Sequence, residues 1–246
     1  MLKYTLKRLL SSIPTILVVA VLIFGLVRLI PGSPARNMLG EDATEEEVLA
    51  LEHKMGLDQP IVVQFGRWIG DALRGDLGDS LYYNRPVTDI LLERVGPTFL
   101  LVIYAMIIAT LIGVSLGVIA AVTRGRLPDK LAMILSTVGI SMPGFWLALN
   151  LVILLAVKNP IFPSVNYMPV AEVGLLGTLW YVTLPSLAMG LQRSASIARV
   201  TRSSMLDVLG EDYIRTARSK GLGERTVIAV HALKNAANPI MTQIGI

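Results

Sequence analysis

Apolar positions along this chain fall into long, almost unbroken runs, separated by polar segments of very different lengths. The first run extends from Leu9 to Val27 and is preceded by Lys3, Lys7 and Arg8. Three further runs, Gly96 to Thr123, Leu131 to Val157 and Val173 to Gln192, contain no Asp, Glu, Lys, Arg or His. Each of these three reaches or exceeds the roughly 20 residues a helix needs to cross a hydrocarbon core of about 30 Å. A backbone in lipid must satisfy its own hydrogen bonds, so the pattern predicts helices. The expected fold class is all-α, a polytopic transmembrane helical bundle with a small helical external domain. A cleaved signal peptide is the alternative for the first run. That run exceeds a signal core of about 7–15 residues and no small-x-small cleavage site follows it, which favours an uncleaved span. Arg28, at its far end, can snorkel to the interface.

Residues 32–95 differ in kind, with 6 Lys/Arg against 12 Asp/Glu and turn signals at Pro31-Gly32-Ser33-Pro34 and Arg85-Pro86. Thr44-Glu45-Glu46-Glu47 reads as a capped helix start. A second helix is predicted from Val62 to Leu73, with Phe65, Ile69 and Leu73 on one face. The domain organisation expected is therefore an N-terminal tail and first span over 1–31, an external helical domain over 32–95, and a membrane core over 96–246. From Asn235 a fifth apolar segment begins. It is about half the length of a span, which suggests a sequence broken off inside a helix.

Composition agrees: 53% of the 246 residues are hydrophobic and only 16% charged, against about a quarter charged in soluble domains. Mean hydropathy is +0.63. The net charge of +4 does not point to nucleic acid, because the basic residues flank apolar runs. The N-terminus, the loop Arg124 to Lys130, and residues 193–234 with 8 Lys/Arg against 4 acidic residues fall on one side if all four spans are real. The positive-inside rule then puts the N-terminus of a multi-pass membrane protein in the cytoplasm. Cysteine is absent and only His53 and His231 occur, which leaves no expected metal site and no thiol chemistry.

Uncharged spans argue against a self-contained secondary transporter or channel, the alternative function, because coupling normally resides in ionisable intramembrane groups. They argue equally against a membrane-embedded enzyme, so no catalytic residue is expected. Ala105, Ala109, Gly113, Gly117 and Ala121 are spaced four apart and form a stripe suited to close helix packing. Ser141-Met142-Pro143-Gly144 interrupts the third span, and Pro185 lies in the fourth. Proline removes a helical hydrogen bond, so Pro143-Gly144 is either a hinge lining a pathway or a static kink, and Pro185 reads as a static kink. Asn150 and Gln192 can face a pore or bond between helices. Ser141, Met142, Pro143, Asn150 and Gln192 are the candidates for a translocation pathway.

The segment 199–234 is the most informative. Arg199 to Leu209 reads as a helix stopped by Gly210. Glu211-Asp212 favours a new helix start through the dipole, and Gly221 and Gly223 end it. On these grounds it is either a solvated basic loop or a docking element. The stretch Asp212-Tyr213-Ile214-Arg215-Thr216-Ala217-Arg218-Ser219-Lys220-Gly221-Leu222 resembles the cytoplasmic loop of ABC importer permeases, whose motif is Glu-Ala-Ala-x3-Gly followed by Ile-x-Leu-Pro. Gly221 keeps the glycine, Arg215-Thr216-Ala217 is a degenerate first part, and His231-Ala232-Leu233-Lys234 stands at the second. Leu29-Ile30-Pro31-Gly32-Ser33-Pro34-Ala35, Gly56-Leu57-Asp58-Gln59-Pro60, Gln64-Phe65, Trp68 and Gly75-Asp76-Leu77-Gly78-Asp79-Ser80 resemble the external domain of the first permease subunit in the dipeptide, oligopeptide and nickel branch.

The resemblance implies a membrane-spanning permease subunit of an ATP-driven, binding-protein-dependent importer for peptides or a related small solute. It implies a short helix, Glu211 to Gly221, that docks on an ATPase. Glu211, Asp212, Tyr213, Ile214, Arg215, Ala217, Arg218, Gly221 and Leu222 would form it, with Ala217 and Gly221 allowing close approach and Asp212, Arg215 and Arg218 supplying polar contacts. The implied partners are a sister permease, two ATPase subunits, an extracytoplasmic solute-binding protein and membrane lipid. ATP and Mg would be bound by the ATPases. This chain has no Gly-x4-Gly-Lys-Ser/Thr phosphate loop of its own.

Overall fold

The computed structural model describes residues 2–29, 32–40, 42–80, 82–83, 85–164 and 166–245. Pro31 of the predicted turn, Ile30 before it, and Ile246 at the end of the apolar C-terminal segment lie outside the described residues. Those that are described are mostly helical and divide into two compact units, Met1–Val95 and Gly96–Ile246.

In the first unit, α1 (Leu2–Leu29) is followed by α2 (Pro34–Leu39), α3 (Glu45–Met55) and α4 (Ile61–Leu73). The start of α3 is a capping box. The Glu47 amide donates to the Thr44 hydroxyl oxygen, and the Thr44 amide donates to the Glu47 carboxylate at 2.9 Å. The bonds that the Thr44 amide and hydroxyl donate to this carboxylate hold the Glu47 carboxyl below its ordinary range. Phe24 of α1 meets Phe65 and Trp68 of α4, with ring centroids 5.1 and 5.7 Å apart. Arg28 lies over the Phe24 ring and donates to Gln64 at 2.6 Å. Gln64 in turn donates to the carbonyls of Leu57 and Gln59. Arg28 is thus tied to α4 rather than snorkelling freely. Leu73 is 84% exposed, so the apolar face of α4 ends before it, and Phe65 and Trp68 carry the contact with α1.

The second unit begins within α5 (Val87–Val122) and continues through α6 (Leu127–Ser141), α7 (Gly144–Val152), a π-type turn (Ile153–Lys158) and α8 (Val170–Leu209). The short α9 (Asp212–Ser219), α10 (Glu224–Thr226), a second π-type turn (Val227–Ala232), α11 (Leu233–Asn235) and α12 (Ala237–Gly245) complete it. All five residues of the small stripe are buried, and Gly113 and Gly117 lie directly against α8. A Cβ on Gly113 would sit 2.7 Å from the Ser194 carbonyl oxygen, and one on Gly117 would sit 2.5 Å from Thr201 Cβ. Small side chains are what let the two backbones come this close, the usual basis of helix association in lipid.

Among the described residues three helices are long and apolar enough to cross a membrane: Lys3–Leu29, Val87–Val122 and Val170–Leu209. The predicted third span is not a single rod. It breaks between α6 and α7, and the two arms are bent by 100°, so it counts as a fourth crossing only if the bent pair is one span. The Met142 and Pro143 backbones are extended. Proline disfavours helical conformation in the residue before it, which explains where the break falls. The fourth span differs as well. It runs 40 residues and continues through Pro185 into the polar segment, with its non-helical backbone at Gly174 instead.

Candidate functional site

Two regions carry candidate chemistry, and both lie within Gly96–Ile246. The first is the short helix α9. Glu211 precedes it with extended backbone and makes no side-chain cap. Its end is a Schellman turn: the Gly221 amide donates to the Arg218 carbonyl at 2.9 Å and the Leu222 amide to the Ala217 carbonyl at 3.4 Å. Gly221 has φ +80°, the left-handed conformation that glycine adopts without a Cβ penalty.

The two faces of α9 are sharply different. Ile214 and Ala217 are buried in one cluster with Ala121 of α5, Met205 of α8, Val227, Ala232, Ala236 and Ile240. Ala217, expected to give a partner close approach, is therefore packed against this chain's own helices. Spacing of three residues put it on the inward face with Ile214. Asp212, Tyr213, Arg215, Arg218, Gly221 and Leu222 are exposed. Arg215 pairs with Asp212 at 3.1 Å, and Arg218 makes a two-point contact with Glu224 at 2.7 and 3.2 Å. That contact draws the Glu224 carboxyl below its ordinary range and raises the Arg218 guanidinium.

The second region surrounds the α6–α7 break. The Gln192 amide donates to the Met142 carbonyl at 3.4 Å. A Cβ on Gly144 would lie 2.7 Å from Gln192 Oε1, so α7 and α8 meet here because position 144 is glycine. Ser141, Met142 and Pro143 line a cavity of about 390 Å³ on one side of the break. Gln192 lines a separate one of about 460 Å³ between α5, α6 and α8. The Ser141 hydroxyl donates to Thr137 O within its own helix. The Asn150 amide does the same to Trp146 O, and Asn150 borders neither cavity. The pathway candidates are thus divided between two spaces rather than gathered in one.

Sequence reasoning missed Arg193, Asp129 and Arg202. The larger cavity has apolar walls of Val102, Met106, Ile140 and Met189, and its polar groups are Gln192, Arg193 and Ser196 of α8. Met189, Arg193 and Ser196 follow i, i+4, i+7, the one-face spacing that would have flagged Arg193 had the helix been carried past Gln192. Asp129 and Arg202 form an ion pair for which the sequence gives no signal beyond two charges near apolar runs.

Long apolar helices, a bent helix pair and a short two-faced helix directly after the last long one are the architecture of a multi-pass membrane protein. The chain matches the binding-protein-dependent transport system inner membrane component over residues 113–246. Residues 1–102 match the N-terminal model of that same membrane component. The glutathione transport system permease protein GsiC of Salmonella paratyphi A and that of Salmonella typhimurium are each 44% identical to it over 247 residues, spanning all of this chain and 78% of theirs. GsiC of Escherichia coli K12 is 42% identical over the same extent. The chain belongs to the family of binding-protein-dependent transport system inner membrane components and is a membrane-spanning permease subunit of an ABC importer. Its role is transport rather than catalysis, and it works with ATPase and solute-binding protein partners.

Proposed function

We propose that this subunit forms half of a pathway for a small peptide-type solute, glutathione or a short peptide, beside one sister permease and above two ATPases that bind ATP and Mg. The 44% identity to permeases named for glutathione supports the solute class. In this reading the N-terminus and α9 face the cytoplasm and residues 32–95 face outward, as the distribution of basic loops favours.

The observation that carries the docking assignment is the division of α9. Ile214 and Ala217 anchor it to the permease, which leaves Tyr213, Arg215 and Arg218 outward for an ATPase groove. Movement of that groove on ATP binding would then pull on α8, α12 and the turn between them through one packed cluster.

Because the chain has no cysteine, Tyr213→Cys gives a single attachment point. In the assembled importer, a short bifunctional crosslinker at position 213 is expected to capture an ATPase subunit, and Gly221→Trp is expected to insert normally yet lose ATP-driven uptake. An intact complex in which position 213 captures no ATPase, or in which Gly221→Trp transports normally, overturns the assignment.

A further inference from the structure

The cavity between α5, α6 and α8 is lined by a cation, Arg193, that makes no ion pair among the described residues. Arg193 is half-buried beside an apolar wall. Among the described residues its hydrogen bond runs from Nη2 to the Gln243 backbone carbonyl at 3.3 Å. Among the described residues no carboxylate lies within ion-pair distance of it. Arg85, Arg202 and Arg218 each have one, in Glu93, Asp129 and Glu224. A guanidinium partly withdrawn from water at the edge of an apolar span, without a counter-ion, carries a desolvation cost that an anionic guest would offset.

We propose that this cavity is a transient binding site for the carboxylate of the transported solute, with Arg193 as the group that recognises it. The inference rests on the peptide-type solute assigned above. A space of about 460 Å³ is within the size range of small-molecule sites. The planar fork of arginine matches a carboxylate in two-point geometry. Gln192 and Ser196 stand on the same face. Ser196 Oγ accepts from Gln243 Nε2 at 3.1 Å, which leaves its own hydroxyl hydrogen to donate to a guest. Met106 and Met189 on the walls are flexible and polarisable, so they adapt to differing solute side chains while a terminal carboxylate, which all these solutes carry, meets the guanidinium. A single charged contact also permits release, since a pathway site must bind loosely enough to empty.

The test uses the whole importer in proteoliposomes, with permease pair, ATPases and binding protein, and with Ala-Ala and glutathione as probes. Arg193→Gln keeps a donor for the Gln243 carbonyl but removes the charge, and Arg193→Lys keeps the charge. ATPase stimulation by the loaded binding protein should stay within about twofold in both variants. Solute moved per ATP should fall about tenfold in Arg193→Gln, the scale of one lost charged contact, and recover largely in Arg193→Lys. Gln192→Glu, which places a rival carboxylate in the same cavity, should also depress uptake with Arg193 untouched. Unchanged uptake in Arg193→Gln or Gln192→Glu overturns the proposal. So does equal loss in Lys and Gln variants with a parallel loss of ATPase stimulation, the signature of a merely structural arginine. A wild-type importer that moves neither probe on ATP refutes the solute class itself, and this site with it.

Discussion

Asp129 and Arg202, 73 residues apart, close a two-point ion pair with distances of 2.6 and 2.8 Å. Asp129 also accepts the Gly125 amide at 2.9 Å, so one carboxylate fixes the turn before α6 and binds that turn to α8. Its side chain is 6% exposed and that of Arg202 is 27% exposed. The pair sits one turn before Met205, the α8 residue that packs with Ile214 and Ala217 of α9. It therefore holds the α5–α6 connection, α8 and the base of α9 in one frame.

Removing one partner leaves a charge with little access to water. Asp129→Asn or Arg202→Ala should each destabilise the fold by about 3 kcal/mol, measured as thermal unfolding in detergent. The charge swap Asp129→Arg with Arg202→Asp should recover only part of that loss, because the Gly125 amide then has no acceptor.

The small-residue stripe predicts a contrast between glycines. Gly117→Ala should cost about 1–3 kcal/mol through overpacking, since the new methyl meets Thr201 and the Ala198 carbonyl. Gly25→Ala in α1 has nothing within 4 Å of the added carbon and should be neutral or slightly stabilising through helix propensity. Thermal unfolding of the two variants side by side separates packing from propensity.

The two faces of α9 should separate stability from coupling. Ile214 is fully buried, so Ile214→Ala should cost about 2–5 kcal/mol. Arg215→Ala, on the exposed face, should stay within about 0.5 kcal/mol of the parent yet lower ATPase stimulation in the assembled importer. Loss of stability in Arg215→Ala with intact stimulation would reverse the assignment of the faces.

The Arg218–Glu224 pair carries a pH signature. The carboxyl of Glu224 is depressed in the folded chain by the bond from Arg218. Its stabilising contribution is then complete above the ordinary glutamate range, at about pH 5 and higher, and is lost as pH falls through the depressed value. Both side chains are about half exposed, so the contribution is below about 1 kcal/mol. The gap in thermal stability between the parent and Glu224→Gln should be present at neutral pH and close on acidification.

Sequence alone determined that the chain is helical and membrane-spanning, because run length and missing charge act locally and need no knowledge of neighbours. It determined the start of α3, where Thr44 and Glu47 are three residues apart, and the end of α9, where Gly221 supplies a positive φ. The stripe from Ala105 to Ala121 was equally legible, since its period is that of the helix that carries it. Tertiary structure decided what those elements face. It turned Ala217 inward, bound Arg28 to Gln64, bent the third span by 100° at Met142–Pro143 and set Arg193 on the wall of a cavity. Each of these outcomes depends on which helix arrives opposite a residue. A one-dimensional pattern fixes the face of a helix but not its partner, and so Asp129 and Arg202 were two stray charges in the sequence and one ion pair in the fold.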